Sequence, residues 1–224
     1  MVLVLALDTA TPAVTAALAE VGDEGPLRGL GERRTVDPRA HGELLAPQVR
    51  MTLAEAGVRP ADLGAIVAGL GPGPFTGLRV GLATAAAMGQ ALGIPTYGIC
   101  SLDALGRAAG PGRVLVATDA RRREVYYAVY QDGQRVTGPE VAKPADIAVK
   151  AERAVGEGAV KYSDVLGLPI DDRVLHPSGE ALIALAVEKI RTQPRGEVLT
   201  PLYLRRPDAV AAAEQKTARK SVLQ

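Results

Sequence analysis

An apolar run that ends in an aspartate occurs twice in this sequence of 224 residues, and the repetition limits the folds open to the chain. Residues 3–8 read LVLALD, and residues 114–119, 111 positions later, read VLVATD. Each run is followed by a short turn and a second apolar run, the pattern of an antiparallel strand pair. Repetition of this kind predicts two related α/β halves. The alternative is that two buried strands of any α/β protein look alike.

If the repeat is a duplication, Asp8 and Asp119 end equivalent strands and face a shared cleft. Ligands of open α/β sheets bind beside the carboxyl ends of strands. A Gly-Pro-Gly sequence at 110–112 breaks the chain between the two copies. It predicts an N-terminal lobe over 1–109 and a C-terminal lobe over 110–208. The stretch 209–224 is rich in Ala, Lys and Gln, so we predict a flexible tail there.

Hydrophobic periodicity predicts the elements of both lobes. Strands are expected over 2–8, 13–20, 28–36, 65–70 and 96–100, and helices over 41–56, 77–92 and 180–191. The helix over 77–92 follows a loop rich in Gly and Pro, and the Thr76 hydroxyl is expected to cap its first turn.

Composition excludes several classes of protein. The net charge is +1, and the aromatic residues are six Tyr, one Phe and no Trp. Tight independent binding of nucleic acid is therefore not expected, because it needs a basic surface and rings on which bases stack. The single Cys100 excludes an internal disulfide and a zinc finger, and it predicts a cytoplasmic protein. The uncharged stretch 80–102 is interrupted by glycines and a proline, so we predict no membrane span.

The turn over residues 8–11, Asp-Thr-Ala-Thr, resembles the first phosphate loop of the actin, Hsp70 and sugar-kinase superfamily. Ala10 stands where that loop has a glycine, and its methyl group opposes a close approach of phosphates. One interpretation is a degenerate nucleotide site, whose candidate residues are Asp8, Thr9, Thr11 and Asp119. The other is that Asp8 accepts hydrogen bonds from amides of its own turn.

Metal and nucleophile patterns are missing from the sequence. The two histidines, His41 and His176, lie far apart in the chain, and neither has a second histidine three or four residues away. The loop 71–77 lacks the Lys and Ser/Thr of a phosphate-binding P-loop. No nucleophile elbow occurs. We therefore expect no metal site, no catalytic residue and no cofactor bound by this chain alone.

The helix over 77–92 is apolar on all sides, and small residues recur along it at every fourth position. These residues are Gly77, Gly81, Ala85 and Gly89. An all-apolar helix must be covered on both sides, and small residues allow a close helix approach. One hypothesis is that this helix and the helix over 41–56 form an oligomer surface. The alternative is that both are buried within the monomer.

Five segments together resemble the TsaB family, over nearly the whole chain up to about residue 208. Their sequences are DTAT (8–11), H with LLAP (41 and 44–47), GPGPFTGLRVG (71–81), DARRREVY (119–126) and PLYLR (201–205). The loop-helix segment 71–81 is the most specific of them. Pro74 stands where the family usually has Ser, and Arg123 where it usually has Gly.

The resemblance implies a duplicated actin-like fold (ASKHA, ribonuclease H-like) with two lobes, each a mixed sheet flanked by helices. It also implies a non-catalytic subunit that pairs with its paralogue TsaD, recruits the ATPase TsaE and meets tRNA only through the complex, which uses ATP to make threonylcarbamoyladenosine. Homodimers through the same helices are implied as well. The surface expected to pair consists of His41, Leu44, Gln48, Met51, Arg79, Val80, Ala83 and Ala87.

Two enzyme classes compete with this interpretation. One is an active ATP-dependent kinase or carbamoyltransferase of the same superfold, which the altered phosphate turn opposes. The other is a metallopeptidase, an older label for relatives, which the missing metal ligands oppose. Separately, the three arginines at 121–123 are either a solvated cluster or a contact to tRNA.

Overall fold

The computed structural model describes residues 1–192 and 195–205. This part of the chain forms nine strands and six α-helices. The strands are β1 (Val2–Asp8), β2 (Ala13–Val21), β3 (Arg28–Val36), β4 (Ala65–Gly69), β5 (Thr96–Ile99), β6 (Arg113–Asp119), β7 (Val125–Gln131), β8 (Gln134–Ala142) and β9 (Arg153–Val155). The helices are α1 (His41–Glu55), α2 (Phe75–Leu92), α3 (Ser101–Ala109), α4 (Glu157–Lys161), α5 (Ser163–Leu166) and α6 (Gly179–Thr192).

The strands form two mixed sheets of similar topology. The first has the order β3-β2-β1-β4-β5 and the second the order β8-β7-β6-β9. In each sheet three antiparallel strands come first in the chain, and a parallel strand then joins the other side of the leading strand. The predicted α/β fold of two related halves, each a mixed sheet flanked by helices, is confirmed.

The repeat seen in the sequence is confirmed at the level of residues. Both ends of β6 lie 111 positions after the ends of β1. The turns that follow differ, because Asp8 pairs with Thr15 across the first turn whereas Asp119 pairs with Val125 across the second. The second turn is thus one residue shorter and must reverse the chain more tightly.

Helices and sheets alternate in layers around four apolar clusters. Helices α1 and α2 cover one face of the first sheet, where Leu45 and Leu78 pack against Leu5. Helix α6 covers the opposite face through Leu182. Helix α3 packs against the second sheet, and α4 covers the far side of that sheet. No helix in the described part of the chain is long and apolar enough to cross a membrane.

The division into lobes 1–109 and 110–208 stays a prediction. Helix α6 comes late in the chain, within the second of these ranges, but it packs against β1 and β2 of the first sheet. The predicted tail 209–224 lies outside the described residues.

The start of α2 differs from the prediction. The helix begins at Phe75, with Pro74 as the flanking residue and no side chain bonded to its free amides. The expected cap by Thr76 is therefore wrong. A proline fits this position because its fixed φ and missing N–H cost nothing at the start of a helix.

The small-residue ridge of α2 faces the inside of the monomer. Gly77, Gly81, Ala85 and Gly89 are all buried. The hydroxyl of Thr9 donates to the Gly77 carbonyl at 2.8 Å and accepts from the Gly81 amide at 2.9 Å. These two backbone groups are four residues apart, the spacing that α-helical hydrogen bonds join. Gly77 and Gly81 therefore serve the contact between α2 and the β1–β2 turn, whereas Gly89 lies against Thr96. The alternative of burial within the monomer holds for this side of α2.

The contact at Gly81 generates a stability prediction. A Cβ atom at this position would lie 2.5 Å from the Thr9 Oγ1. We expect Gly81→Ala to lower the free energy of unfolding by about 1–3 kcal/mol, since overpacking forces neighbours apart. Urea denaturation monitored by circular dichroism measures this.

Gly42→Ala is the matched control, because Gly42 also lies in a helix and its Cβ would meet nothing within 4 Å. This variant should be stabilised by up to about 1 kcal/mol, since alanine is the better helix former. Equal effects of the two substitutions would contradict the assigned contact.

Candidate functional site

A cavity of about 780 Å³ opens between the turns that follow β1 and β6. The start of α2, the loop before α1 and the segment 203–205 complete its walls. Three of the four predicted nucleotide-site residues, Thr9, Thr11 and Asp119, line it. Asp8 is not among the residues that line the cavity, and 1% of this residue is exposed.

The Asp8 carboxylate is bonded on both oxygens inside the protein. One oxygen accepts the amide of Ala10 at 3.0 Å, and the other accepts the hydroxyl of Ser101 at 2.5 Å. The hydrogen bond to its own turn that we considered as an alternative is therefore present. Burial is the main cause that raises the pKa of Asp8 to about 6. A glycine at residue 69 is required here, since a Cβ would lie 1.8 Å from the carboxylate.

Both histidines of the sequence converge on Thr11, although they are far apart in the chain. The His41 Nε2 lies 2.8 Å from the Thr11 carbonyl oxygen, and the His176 Nδ1 lies 3.3 Å from the Thr11 hydroxyl. Burial, with Arg34 nearby, lowers the pKa of His176 to about 4. Sequence reasoning missed this pair, because it searched for histidines at helical spacing and not for two elements meeting at one turn.

Asp119, the repeat partner of Asp8, is held differently. Its side chain is 20% exposed and pairs with Lys161 at 2.9 Å. Its backbone amide donates to the Glu157 carboxylate at 2.9 Å. Burial is the main cause that raises the pKa of Glu157 to about 7. The two aspartates thus end equivalent strands but have different surroundings.

The turn after β6 is strained. Arg121, Arg122 and Arg123 have φ values of 60°, 52° and 62°, all in the left-handed region. Each non-glycine residue in that region costs about 1–2 kcal/mol. Arg123 stands where the family resembled in the sequence usually has glycine. Its φ of 62° is a conformation that glycine adopts without strain. The Glu124 amide donates to the Arg121 carbonyl at 2.9 Å and closes the turn.

The segment 197–205 connects both sheets beside the cavity. The Glu197 amide donates to the Thr96 carbonyl in the first sheet at 2.8 Å. Arg205 donates to the Ala120 carbonyl at 3.0 Å and pairs with Glu124. It therefore holds the turn after β6, residues 120–124, which we call the arginine turn. Between them, Tyr203 stacks on Phe75 with ring centroids 5.3 Å apart.

The residues of the predicted pairing surface differ in their exposure, and the surface stays a prediction. Met51 is 44% exposed, Ala83 and Ala87 are exposed, and His41, Leu44 and Val80 are half-buried. Gln48 is 5% exposed, so the monomer does not present it on that face. Its amide, oriented to satisfy both neighbours, donates to the Val14 carbonyl at 2.8 Å and accepts from the Thr35 hydroxyl at 2.7 Å.

Arg79 is exposed, but its guanidinium already has partners within the chain. It lies over the Phe75 ring, 3.8 Å from the centroid, and its Nε donates to the Tyr203 hydroxyl at 3.1 Å. The side chain therefore joins the pairing face of α2 to the rim of the cavity. Separately, no group of three or more possible metal ligands occurs among residues 1–192 and 195–205.

The buried Asp8 generates a prediction of pH dependence. Its pKa is about 6 in the folded protein against an ordinary value of 3.8. The carboxyl group therefore stabilises the fold most below pH 4, and this contribution is lost as the pH rises through 6. The difference between the two pKa values corresponds to about 3 kcal/mol in the free energy of unfolding. We expect the free energy of unfolding of Asp8→Asn to gain about that much relative to the unchanged chain between pH 4 and 7.

Urea denaturation at several pH values measures this difference. Asp23→Asn is the control, because the Asp23 side chain is 95% exposed. Its stability profile should run parallel to that of the unchanged chain. A constant difference between Asp8→Asn and the unchanged chain across this pH range would contradict the raised pKa, because it would show that Asp8 has the same pKa in the folded and the unfolded chain.

Comparison with known proteins places the chain in a family. A family model described as TsaD, tRNA N6-adenosine threonylcarbamoyltransferase, matches residues 35–192. The chain is similar to the tRNA threonylcarbamoyladenosine biosynthesis protein TsaB of Escherichia coli, with 31% identity over 223 residues, 90% of this chain and 94% of that protein. It is 52% identical over 206 residues to an uncharacterised protein of Mycobacterium tuberculosis, covering 92% of this chain and 93% of that protein.

Solved structures agree with these relatives. YeaZ from Pseudomonas aeruginosa superimposes with a TM-score of 0.77 and 32% identity, covering 91% of this chain and 100% of that one. The match extends over both sheets, and the resemblance first seen in the five sequence segments is confirmed. The chain belongs to the TsaB family.

Proposed function

We propose that this chain is a non-catalytic subunit in the synthesis of threonylcarbamoyladenosine in tRNA, and that it activates a TsaD protein by pairing with it. The E. coli relative is named for this biosynthesis, and the family model that matches is named for the transferase TsaD. In this proposal the chain works in the cytoplasm, TsaE joins the pair as the ATPase, and the complex meets tRNA. The same surface forms homodimers when TsaD is absent.

The outer face of α2 is the observation that carries the proposal. Its exposed residues Ala83, Ala86, Ala87 and Ala91 present a nearly flat apolar strip, and Gln90 is the polar residue among them. The opposite side of the helix is fixed against Thr9. A strip of alanines lets the backbone of another helix approach closely, so van der Waals contact is extensive.

Helix α1 extends this strip. Met51 is 44% exposed on α1, and Leu44 is half-buried on the same helix. Methionine is adaptable and common at surfaces that pack against partners. The two helices are in contact, so we infer one continuous surface. It consists of His41, Leu44, Met51, Arg79, Val80, Ala83 and Ala87, the predicted set without Gln48.

The turn residues support a role without chemistry. The Thr9 hydroxyl is used as both donor and acceptor by α2, and both oxygens of Asp8 are bonded. Neither side chain can turn toward a ligand without breaking these contacts. We therefore propose that Asp8 and Thr9 support the fold, and that this chain alone binds no cofactor.

Reconstitution tests the function. Purified TsaD and TsaE from the same genome, with ATP, an activated threonylcarbamoyl donor and unmodified tRNA, should form threonylcarbamoyladenosine only when this chain is added. Mass spectrometry of digested tRNA measures the product. Full product without the chain would contradict the proposal. ATP hydrolysis by the isolated chain that is abolished by Asp8→Asn would also contradict it, because it would indicate a kinase.

A single substitution tests the surface. Ala87→Arg places a charge on the exposed apolar strip, and a charge buried without a partner at an interface costs about 2–5 kcal/mol. We expect the affinity for TsaD to fall at least about tenfold. Isothermal titration calorimetry with purified TsaD measures this loss.

Ala108→Arg is the matched control, since Ala108 is also an exposed alanine on a helix, α3, and lies beside a different cavity. Its affinity for TsaD should equal that of the unchanged chain. If Ala87→Arg and Ala108→Arg bind alike, the pairing surface lies elsewhere.

A further inference from the structure

The cavity between the two turns carries positive charge that the proposed pairing with TsaD does not use. Arg39 reaches it from the loop before α1, and Arg121 and Arg122 reach it from the turn after β6. Asp119 is the carboxylate among the residues that line it, and Lys161 already neutralises that group at 2.9 Å. The cavity therefore favours an anion.

Two of these arginines are available to a ligand. Among residues 1–192 and 195–205, no carboxylate forms an ion pair with the guanidinium group of Arg39 or of Arg121. Both residues are exposed. They come from different halves of the fold, the loop before α1 and the turn after β6, and both line the same opening. Guanidinium groups bind phosphate through paired hydrogen bonds.

A stacked pair of aromatic side chains lies at the same opening. Phe75 and Tyr203 both line the cavity, their rings are stacked, and each residue is 41% exposed. The chain has few aromatic rings, and Tyr97 and Tyr130 are fully buried. Two exposed rings beside unpaired arginines are the combination that holds single-stranded nucleic acid, since bases stack on rings while cations follow the phosphates.

The arginine turn is held in a strained backbone conformation. Three successive left-handed residues persist because Arg205 binds the Ala120 carbonyl and pairs with Glu124. Backbone strain of this kind is retained where the surrounding structure determines it, and it clusters at ligand sites. Here it directs Arg121 into the cavity rather than leaving the side chain in a flexible loop.

The arrangement suits a strand of RNA better than a free nucleoside triphosphate. A triphosphate is held by clustered backbone amides and a metal ion. Pro72 and Pro74 remove two amides from the loop before α2, and Asp8 is buried below the cavity. Arginines that come from two separate elements instead match phosphates that are separated along a chain. The volume of about 780 Å³ admits a nucleotide of that chain.

We propose that this cavity binds a single-stranded segment of RNA, with its phosphates on Arg39 and Arg121 and a base on Tyr203. The choice of RNA rests on the proposed function, whereas the charge and the rings are independent of it. With a net charge of +1, the chain contributes a local contact and the complex supplies the remaining affinity.

Fluorescence anisotropy with the full chain and a labelled, unstructured RNA oligonucleotide at low salt tests the proposal. We expect Arg39→Ala and Arg121→Ala each to weaken binding about tenfold, as lost charge-assisted hydrogen bonds do. Each should also reduce the slope of log affinity against log salt by about 0.7, the value for one phosphate of a single strand. Tyr203→Ala should weaken binding at least about fivefold, as a lost stacking contact does.

Arg107→Ala is the matched control, because Arg107 is exposed but lines the separate cavity beside α6. It should bind RNA like the unchanged chain. The inference is overturned if RNA does not bind, if all three arginine variants behave alike, or if AMP and ATP compete as well as RNA does.

The pairing with TsaD is measured on the same variants. Arg39→Ala and Arg121→Ala should retain it, since neither residue belongs to the α1–α2 surface. Loss of RNA binding with intact pairing supports both proposals, and loss of pairing in Ala87→Arg with intact RNA binding separates them. Failure of RNA binding therefore leaves the proposed function standing.

Discussion

The contact of α2 with the turn after β1 determines how the rest of the first half is arranged. One hydroxyl, that of Thr9, spans a carbonyl and an amide of the helix, and it can do so only because Gly77 and Gly81 carry no side chains. The inner side of α2 is thereby fixed. Ala83, Ala86, Ala87 and Ala91 must therefore face outward, and the first turn of α2 must form a wall of the cavity. The proposed pairing surface and the proposed RNA site thus depend on the same contact.

The two copies of the strand-turn-strand unit have diverged into different roles. In the first copy the aspartate is buried and bonds its own turn, whereas in the second it pairs with Lys161 at the surface. The shorter second turn requires left-handed backbone, and the residues there are arginines. Duplication thus supplies one turn that holds a helix and another that presents charge. Arg205 maintains the second turn through its hydrogen bond to the Ala120 carbonyl and its ion pair with Glu124.

Much of the fold could be predicted because its signals are local. The strands, the repeat and the long helices follow from periodicity, and the family resemblance follows from contiguous segments. The role of the α2 ridge could not be predicted, since a row of small residues looks the same whether it meets a turn or another chain. The burial of Gln48 could not be predicted for a related reason. Helical spacing puts it beside Leu44, but Val14 and Thr35, distant in sequence, supply the partners for its amide.

Helix α6 and the segment after it complete a sheet whose strands were made much earlier. Leu182 packs on β1 and β2, and Glu197 bonds the edge strand β5. During synthesis, the first sheet therefore lacks the cover of α6 on one face until residues 179–192 have left the ribosome. Contacts so distant in sequence slow folding. Until α6 packs there, that apolar face is open to contact with other chains, so the order of the elements sets the interval during which aggregation competes with folding.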